Sequence, residues 1–145
     1  MYKHLLLPTD GSPLSETAVR RGLRFAREVG AKVTGFYAMP EFRVVAYTMA
    51  MLEDTQAAFE KQALARAEVV LDFVQTAARE EGVPCDTVMS TSDRPYEAII
   101  KAARDRGCDL IVMASHGRRG VEGFLIGSET QKVLTHSKIP VLVDR

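Results

Sequence analysis

Residues 109–128 read DLIVMASHGRRGVEGFLIGS, and the order of residue types in that stretch decides what kind of sheet the chain builds. Leu110-Ile111-Val112-Met113-Ala114 is an unbroken apolar run, entered from the charge of Asp109 and left at Ser115-His116-Gly117. A run without alternation reads as a strand covered on both faces, as in parallel sheets. Gly117, Gly120, Gly123 and Gly127 follow, residues that let backbone turn and approach another group closely. From Ser128 the pattern turns helical, SETQKVLTHS. A strand, a glycine-rich loop and a helix start in that order make a potential phosphate cradle, because first-turn N–H groups and the helix dipole both favour an anion. Ser128-Glu129-Thr130-Gln131 also has the form of a capping box, in which Gln131 reaches back to the Ser128 N–H, and capping alone would account for both residues.

Working outward, the rest of the chain alternates strand and helix patterns. Tyr2–Leu7 reads as a first strand, left through Pro8-Thr9-Asp10-Gly11. Ser12-Pro13 is a helix start with Ser12 as N-cap, and Gly30 ends that helix. Lys32–Met39 is a second strand. Residues 41–52 are apolar without a clean period and are open to three readings: a loop over the sheet edge, a lid, or the early part of the next helix. Glu53–Glu81 is a long helix with Ala63, Leu64, Ala67, Val70, Leu71, Val74 and Ala78 in one stripe, stopped by Gly82 and Pro84. Asp86–Ser90 is a third strand, a helix opens at Pro95 and stops at Gly107, and Val141–Val143 is a fifth strand. Such alternation calls for an α/β fold, a parallel sheet with right-handed crossovers and helices on both faces.

At 145 residues the chain, 1–145, reads as a single domain large enough for a real core. Its formal net charge of zero argues against an electrostatic grip on nucleic acid or on a membrane surface. No apolar run approaches the length of a membrane span. The N-terminal apolar residues reach Pro8 and Asp10 too soon for a signal peptide, so a cytoplasmic location is the expectation. Cys85 and Cys108 lack metal spacing, and His4, His116 and His136 are not spaced as metal ligands either. No Walker-type loop, nucleophile elbow or Cys-x-x-Cys pair occurs.

The stretch from His116-Gly117 through Gly127-Ser128, with nine residues between the two glycines, resembles the nucleotide-binding signature of the universal stress proteins. Ala114 stands where that signature has its first glycine, and Glu129 where a neutral residue is more usual. Pro8-Thr9-Asp10 and the closing strand Pro140-Val141-Leu142-Val143 match as well, so the resemblance runs over essentially the whole chain. It implies an open, doubly wound five-stranded parallel sheet of order 3-2-1-4-5. In such sheets ligands bind beyond the carboxyl ends of the strands where the order reverses, which brings Pro8-Thr9-Asp10 and Ala114–Gly117 to one crevice. It further implies ATP there, as its Mg²⁺ complex, with adenine against Ala38 and Met113 and ribose near Asp10. The phosphates would lie over Gly117, Gly127, Ser128, Glu129 and Thr130. A homodimer through the strand Val141–Val143 is implied too, with an unidentified regulatory protein partner.

Each residue also has a plainer reading. Asp10 is an acid near a helix start, where the dipole favours it. Gly117 and Gly127 serve as turn residues, and Arg118 and Arg119 as a solvated loop tip rather than a phosphate clamp. His116 has no evident nucleophile beside it and reads as a backbone-orienting residue. Three functions therefore stand side by side: a nucleotide-binding stress regulator, a slow ATP-hydrolysing enzyme, and a nucleotide-free interaction dimer of the same fold.

Overall fold

The computed structural model describes residues 1–43, 49–117 and 126–145, with the backbone only at 49–52. Its elements alternate as the apolar periods require: β1 (His4–Pro8), α1 (Pro13–Val29), β2 (Lys32–Met39), α2 (Met49–Glu81), β3 (Cys85–Thr91), α3 (Pro95–Asp105), β4 (Leu110–Ala114), α4 (Ser128–His136) and β5 (Val141–Asp144). All strand pairs are parallel, and the order is β3-β2-β1-β4-β5, so the sheet reverses direction of growth between β1 and β4. The expected order 3-2-1-4-5 is the observed one.

Side-chain alternation along the central strands divides the core into two layers. Leu5 and Leu7 of β1 and Val112 of β4 pack under α1 and α2 with Leu23, Ala26, Val74 and Ala78. Leu6, Ile111 and Phe36 turn the other way, under α3 and α4 with Ile99, Ala103 and Val133. The helices thus cover both faces, and β1 and β4 are buried along their whole length. That double cover is why residues 110–114 carry no polar alternation.

Helix α1 begins as its sequence dictates. The Ser12 hydroxyl accepts from the Ser15 N–H at 3.3 Å, Pro13 takes the first helical position, and Gly30 closes the helix in the left-handed conformation, φ 72°. Helix α2 differs from expectation in two ways. It starts at Met49 rather than Glu53, so residues 49–52 are the early part of the next helix. Leu64, placed in the inward stripe by its period, is exposed, and burial starts at Ala67. The reason is length: 33 residues of helix run about 50 Å, whereas the strands beneath reach at most about 26 Å. The N-terminal half of α2 therefore overhangs the sheet, and there Phe59 meets Phe42 with ring centroids 5.5 Å apart. Val44, Val45 and Tyr47 lie outside the described residues. No helix is long and apolar enough to cross a membrane among the described residues.

Candidate functional site

At the carboxyl ends of β1 and β4, where the strand order reverses, lies a cavity of about 540 Å³. Pro8, Thr9 and Asp10 line it from β1, Met113, Ala114 and Gly117 from β4, Ala38 from β2, and Gly127, Ser128, Glu129 and Thr130 from the start of α4. Every residue singled out by sequence for a ligand role is thus on one wall or another of the same space. Arg118, Arg119, Gly120 and Gly123 lie outside the described residues.

The β1 wall is a small hydrogen-bonded knot. Asp10 Oδ1 accepts from the Ser12 N–H at 2.9 Å and lies 3.0 Å from Ser15 Oγ, while Thr9 Oγ1 lies 2.8 Å from Ser15 Oγ. Beside the Ser12 cap, Asp10 thus shares the work of ordering the turn into α1. Its other oxygen faces Gly117. A Cβ on Gly117 would come within 2.6 Å of Asp10 Oδ2, so the glycine is required by close approach across the β1–β4 junction.

The α4 wall corrects the capping box. The N-cap is Gly127, with extended backbone at φ −61° and ψ 154°, and Ser128 is the first helical residue; no side chain caps the helix. The Gly127 carbonyl accepts the first intrahelical bond from the Gln131 N–H at 2.9 Å, which is what defines an N-cap and leaves Gln131 one residue out of register for a box. Gly127 is not needed for an unusual dihedral. It is needed for space: its N–H donates to the Ser115 carbonyl at 2.8 Å, and a Cβ would sit 3.1 Å from that oxygen and 3.3 Å from His116 Cα. Thr130 Oγ1 donates to the Ala114 carbonyl at 2.9 Å and is buried. The first-turn N–H groups of Ser128, Glu129 and Thr130 have no acceptor among the described residues. An α-helix leaves such donors open at its start, and they face an anion's position.

Glu129 lines the cavity with both carboxylate oxygens engaged. Oε2 accepts from the Tyr96 N–H of α3 at 3.0 Å, and Oε1 accepts from Lys132 Nζ at 3.2 Å. Helix α3 has no side-chain cap of its own at Arg94, and Glu129 caps it from a neighbouring helix. Sequence could not show this, because the partners lie 33 residues apart.

Ser15, Phe36, Tyr37, Asp93, Pro95 and Ile99 also line the cavity and escaped the sequence reading as site residues. The signal for Asp93-Arg94-Pro95 was present: it is the loop leaving the carboxyl end of β3, the same edge of the sheet as Thr9-Asp10. Asp93 Oδ1 accepts from the Glu41 N–H at 3.1 Å, and its Oδ2 pairs with the Arg43 guanidinium. The Glu41 amide and then Arg43 hold the Asp93 carboxyl below the usual range. Residues 41–43 are thereby pinned to the loop before α3. His116 also lines the space, its Nδ1 2.9 Å from Ser115 Oγ. The described walls thus carry three carboxylates, Asp10, Asp93 and Glu129, and no lysine or arginine. Among the described residues no group of three or more His, Cys, Asp or Glu is placed to hold a metal ion.

Comparison with known proteins agrees with this architecture. A universal stress protein of Thermus aquaticus is 32% identical over 148 residues, covering the full length of both chains. The solved structure of MJ0577, a Methanocaldococcus jannaschii universal stress protein, superposes with a TM-score of 0.82 at 27% identity, over 99% of this chain and 95% of that one. A universal stress protein solved in complex with cAMP has a TM-score of 0.73 at 24% identity, over 99% of this chain and 97% of that one, and so shares the fold. The universal stress protein family model matches residues 1–145. With a match from first residue to last and a relative alike along its whole length, the chain belongs to the universal stress protein family.

Proposed function

We propose that the cavity at the β1–β4 junction binds an adenine nucleotide, ATP with Mg²⁺, and that the protein is a nucleotide-dependent stress-response regulator working in the cytoplasm as a homodimer. The observation that carries this reading is the start of α4. Its first-turn N–H groups lack acceptors among the described residues, beside walls where a Cβ on Gly117 would crowd Asp10 and one on Gly127 would crowd Ser115 and His116. A wall stripped of side chains next to unpaired donors suits the close approach of phosphate to backbone.

The remaining walls fit the other parts of a nucleotide. Ala38 and Met113 offer apolar contact for a base, and Asp10 offers an acceptor for ribose hydroxyls. The cavity volume lies within the range typical of small-molecule sites. Proteins of this fold hold cAMP and dAMP, by their own description. Mg²⁺ would supply charge compensation for the phosphates, with Asp10 as the nearest carboxylate on the β1 wall. The chain's residues bind and orient, and any hydrolysis would be slow. The dimer would form through β5, an edge strand whose Leu142 is 41% exposed.

Mass spectrometry of the small molecule released on denaturing freshly purified protein, with calorimetry using Mg²⁺ and ATP, tests the reading. Binding is expected, and Gly127→Val should abolish it, since its side chain would press the start of α4 away from Ser115 and His116. No heat and no thermal shift with millimolar ATP would favour instead an interaction dimer without nucleotide.

A further inference from the structure

Two helix starts converge on the cavity, α3 at Pro95 and α4 at Ser128. Each helix start carries the equivalent of about half a positive charge. One carboxylate serves both. Glu129 lies in the first turn of α4 and its Oε2 accepts the Tyr96 N–H in the first turn of α3, at 3.0 Å. The positive potential of two helix dipoles, ordinarily what draws a polyphosphate, is already met by an anion of the protein itself. Lys132 offsets part of that charge, its ammonium lying 3.2 Å from Glu129 Oε1, but it is half exposed and does not line the cavity, whereas Glu129 does. With Asp10 and the Arg43-paired Asp93 also in the lining, the described cavity wall offers a ligand carboxylates and backbone donors, and no lysine or arginine.

We propose that Glu129 is the specificity-determining residue of this site, setting how much negative charge a bound nucleotide carries. With Glu129 in place, the cavity takes a nucleoside monophosphate, or a triphosphate whose charge is offset by a divalent cation, in preference to the bare triphosphate. The proposal rests on the nucleotide reading above and deepens it. The carboxylate acts by charge and not as a mere strut. A glutamine at 129 keeps an oxygen for the Tyr96 N–H and so keeps the cap of α3, while the unit charge is gone.

The test compares AMP with ATP, each in EDTA, by calorimetry on the wild type and on Glu129→Gln. The control is Glu97→Gln, which removes the same charge from a residue of α3 that does not line the cavity. Bare ATP carries roughly two more charges than AMP. One carboxylate at a partly solvated mouth then shifts the ATP-to-AMP affinity ratio by roughly three- to tenfold. The expected result is a ratio raised by that factor in Glu129→Gln, unmoved in Glu97→Gln, and a difference that shrinks as salt is added. Binding of bare ATP by Glu129→Gln alone would be the same result in stronger form. Nucleotides bound with equal ratios in wild type and Glu129→Gln would overturn the role of Glu129 and leave the nucleotide reading intact. No binding of AMP, ATP or Mg²⁺–ATP to either protein would overturn both.

Discussion

Gly117→Ala adds a single methyl group, and the structure says where it lands. The new Cβ would lie 2.6 Å from Asp10 Oδ2, while ordinary contact begins at 3.4 Å, so the carboxylate must retreat by about 0.8 Å. Its Oδ1 is hydrogen-bonded to the Ser12 N–H at 2.9 Å, and a retreat of that size carries the pair beyond hydrogen-bond distance. A hydrogen bond to a charged group contributes about 1.5–3 kcal/mol. Asp10 is only half-buried, and water replaces part of that, which leaves about 1–2 kcal/mol. For a domain of this size the melting temperature should fall by roughly 3–6 °C. Asp10→Ala should cost at least as much, because it removes the acceptor altogether. The decisive measurement is the double variant, by thermal or urea unfolding without ligand. If Gly117→Ala acts by displacing Asp10, it should cost almost nothing once Asp10 is alanine, giving a coupling energy near the whole effect of the single change. Additive losses would refute the reasoning, since the methyl group would then be harmful for a reason unconnected with Asp10. With Mg²⁺–ATP, each single variant should lose roughly ten- to hundredfold in affinity, again without additivity.

Three further outcomes follow from other parts of the molecule. His4 is buried, and burial followed by the charge of Lys32 lowers its pKa from 6.5, against Asp86, Asp109 and the Arg106 carbonyl. The unfolded chain therefore takes up the proton first, so stability is full above pH 6.5 and is lost as pH falls below it; His4→Gln should flatten the slope between pH 7.5 and 5, and an unchanged slope would dismiss His4 as its source. Cys85 and Cys108 are free thiols pushed up to about 11 by burial, so at pH 8 both should react sluggishly with a thiol reagent in the folded protein and fully on unfolding. The Pro140 carbonyl just before β5 and the Asp144 carbonyl at its end accept from the N–H groups of Ile111 in β4 and Ser115 just beyond it, which by alternation turns the backbone of Leu142 inward and that of Val141 and Val143 to the open edge. Val143→Pro should then weaken the homodimer in light scattering while sparing the β4–β5 ladder, and a wild type that is monomeric at micromolar concentration would dispose of the dimer.

The residues alone determined the element types and the kind of sheet. Residues 110–114 have no polar face, so the strand had to be covered twice, and Ser12-Pro13 had to start a helix; both are facts about neighbours in sequence, carried by local sterics and hydrogen bonding. The strand order came from resemblance to a family, because nothing local says which strand lies beside which. The positions of Gly117 and Gly127 were legible as special, yet the reason was not. Dihedral freedom was the natural guess for Gly127, and the structure gives steric room against the Ser115 carbonyl instead. The same limit explains Glu129. By sequence it is one acid in a capping box beside a phosphate site; in the fold it caps α3. Asp93 joins the cavity for the same kind of reason, since only the parallel sheet brings the ends of β1, β3 and β4 to one edge. Which elements form is settled by near neighbours along the chain. What each charged group faces is settled by contacts between distant residues, and those exist only once the sheet has closed around its core.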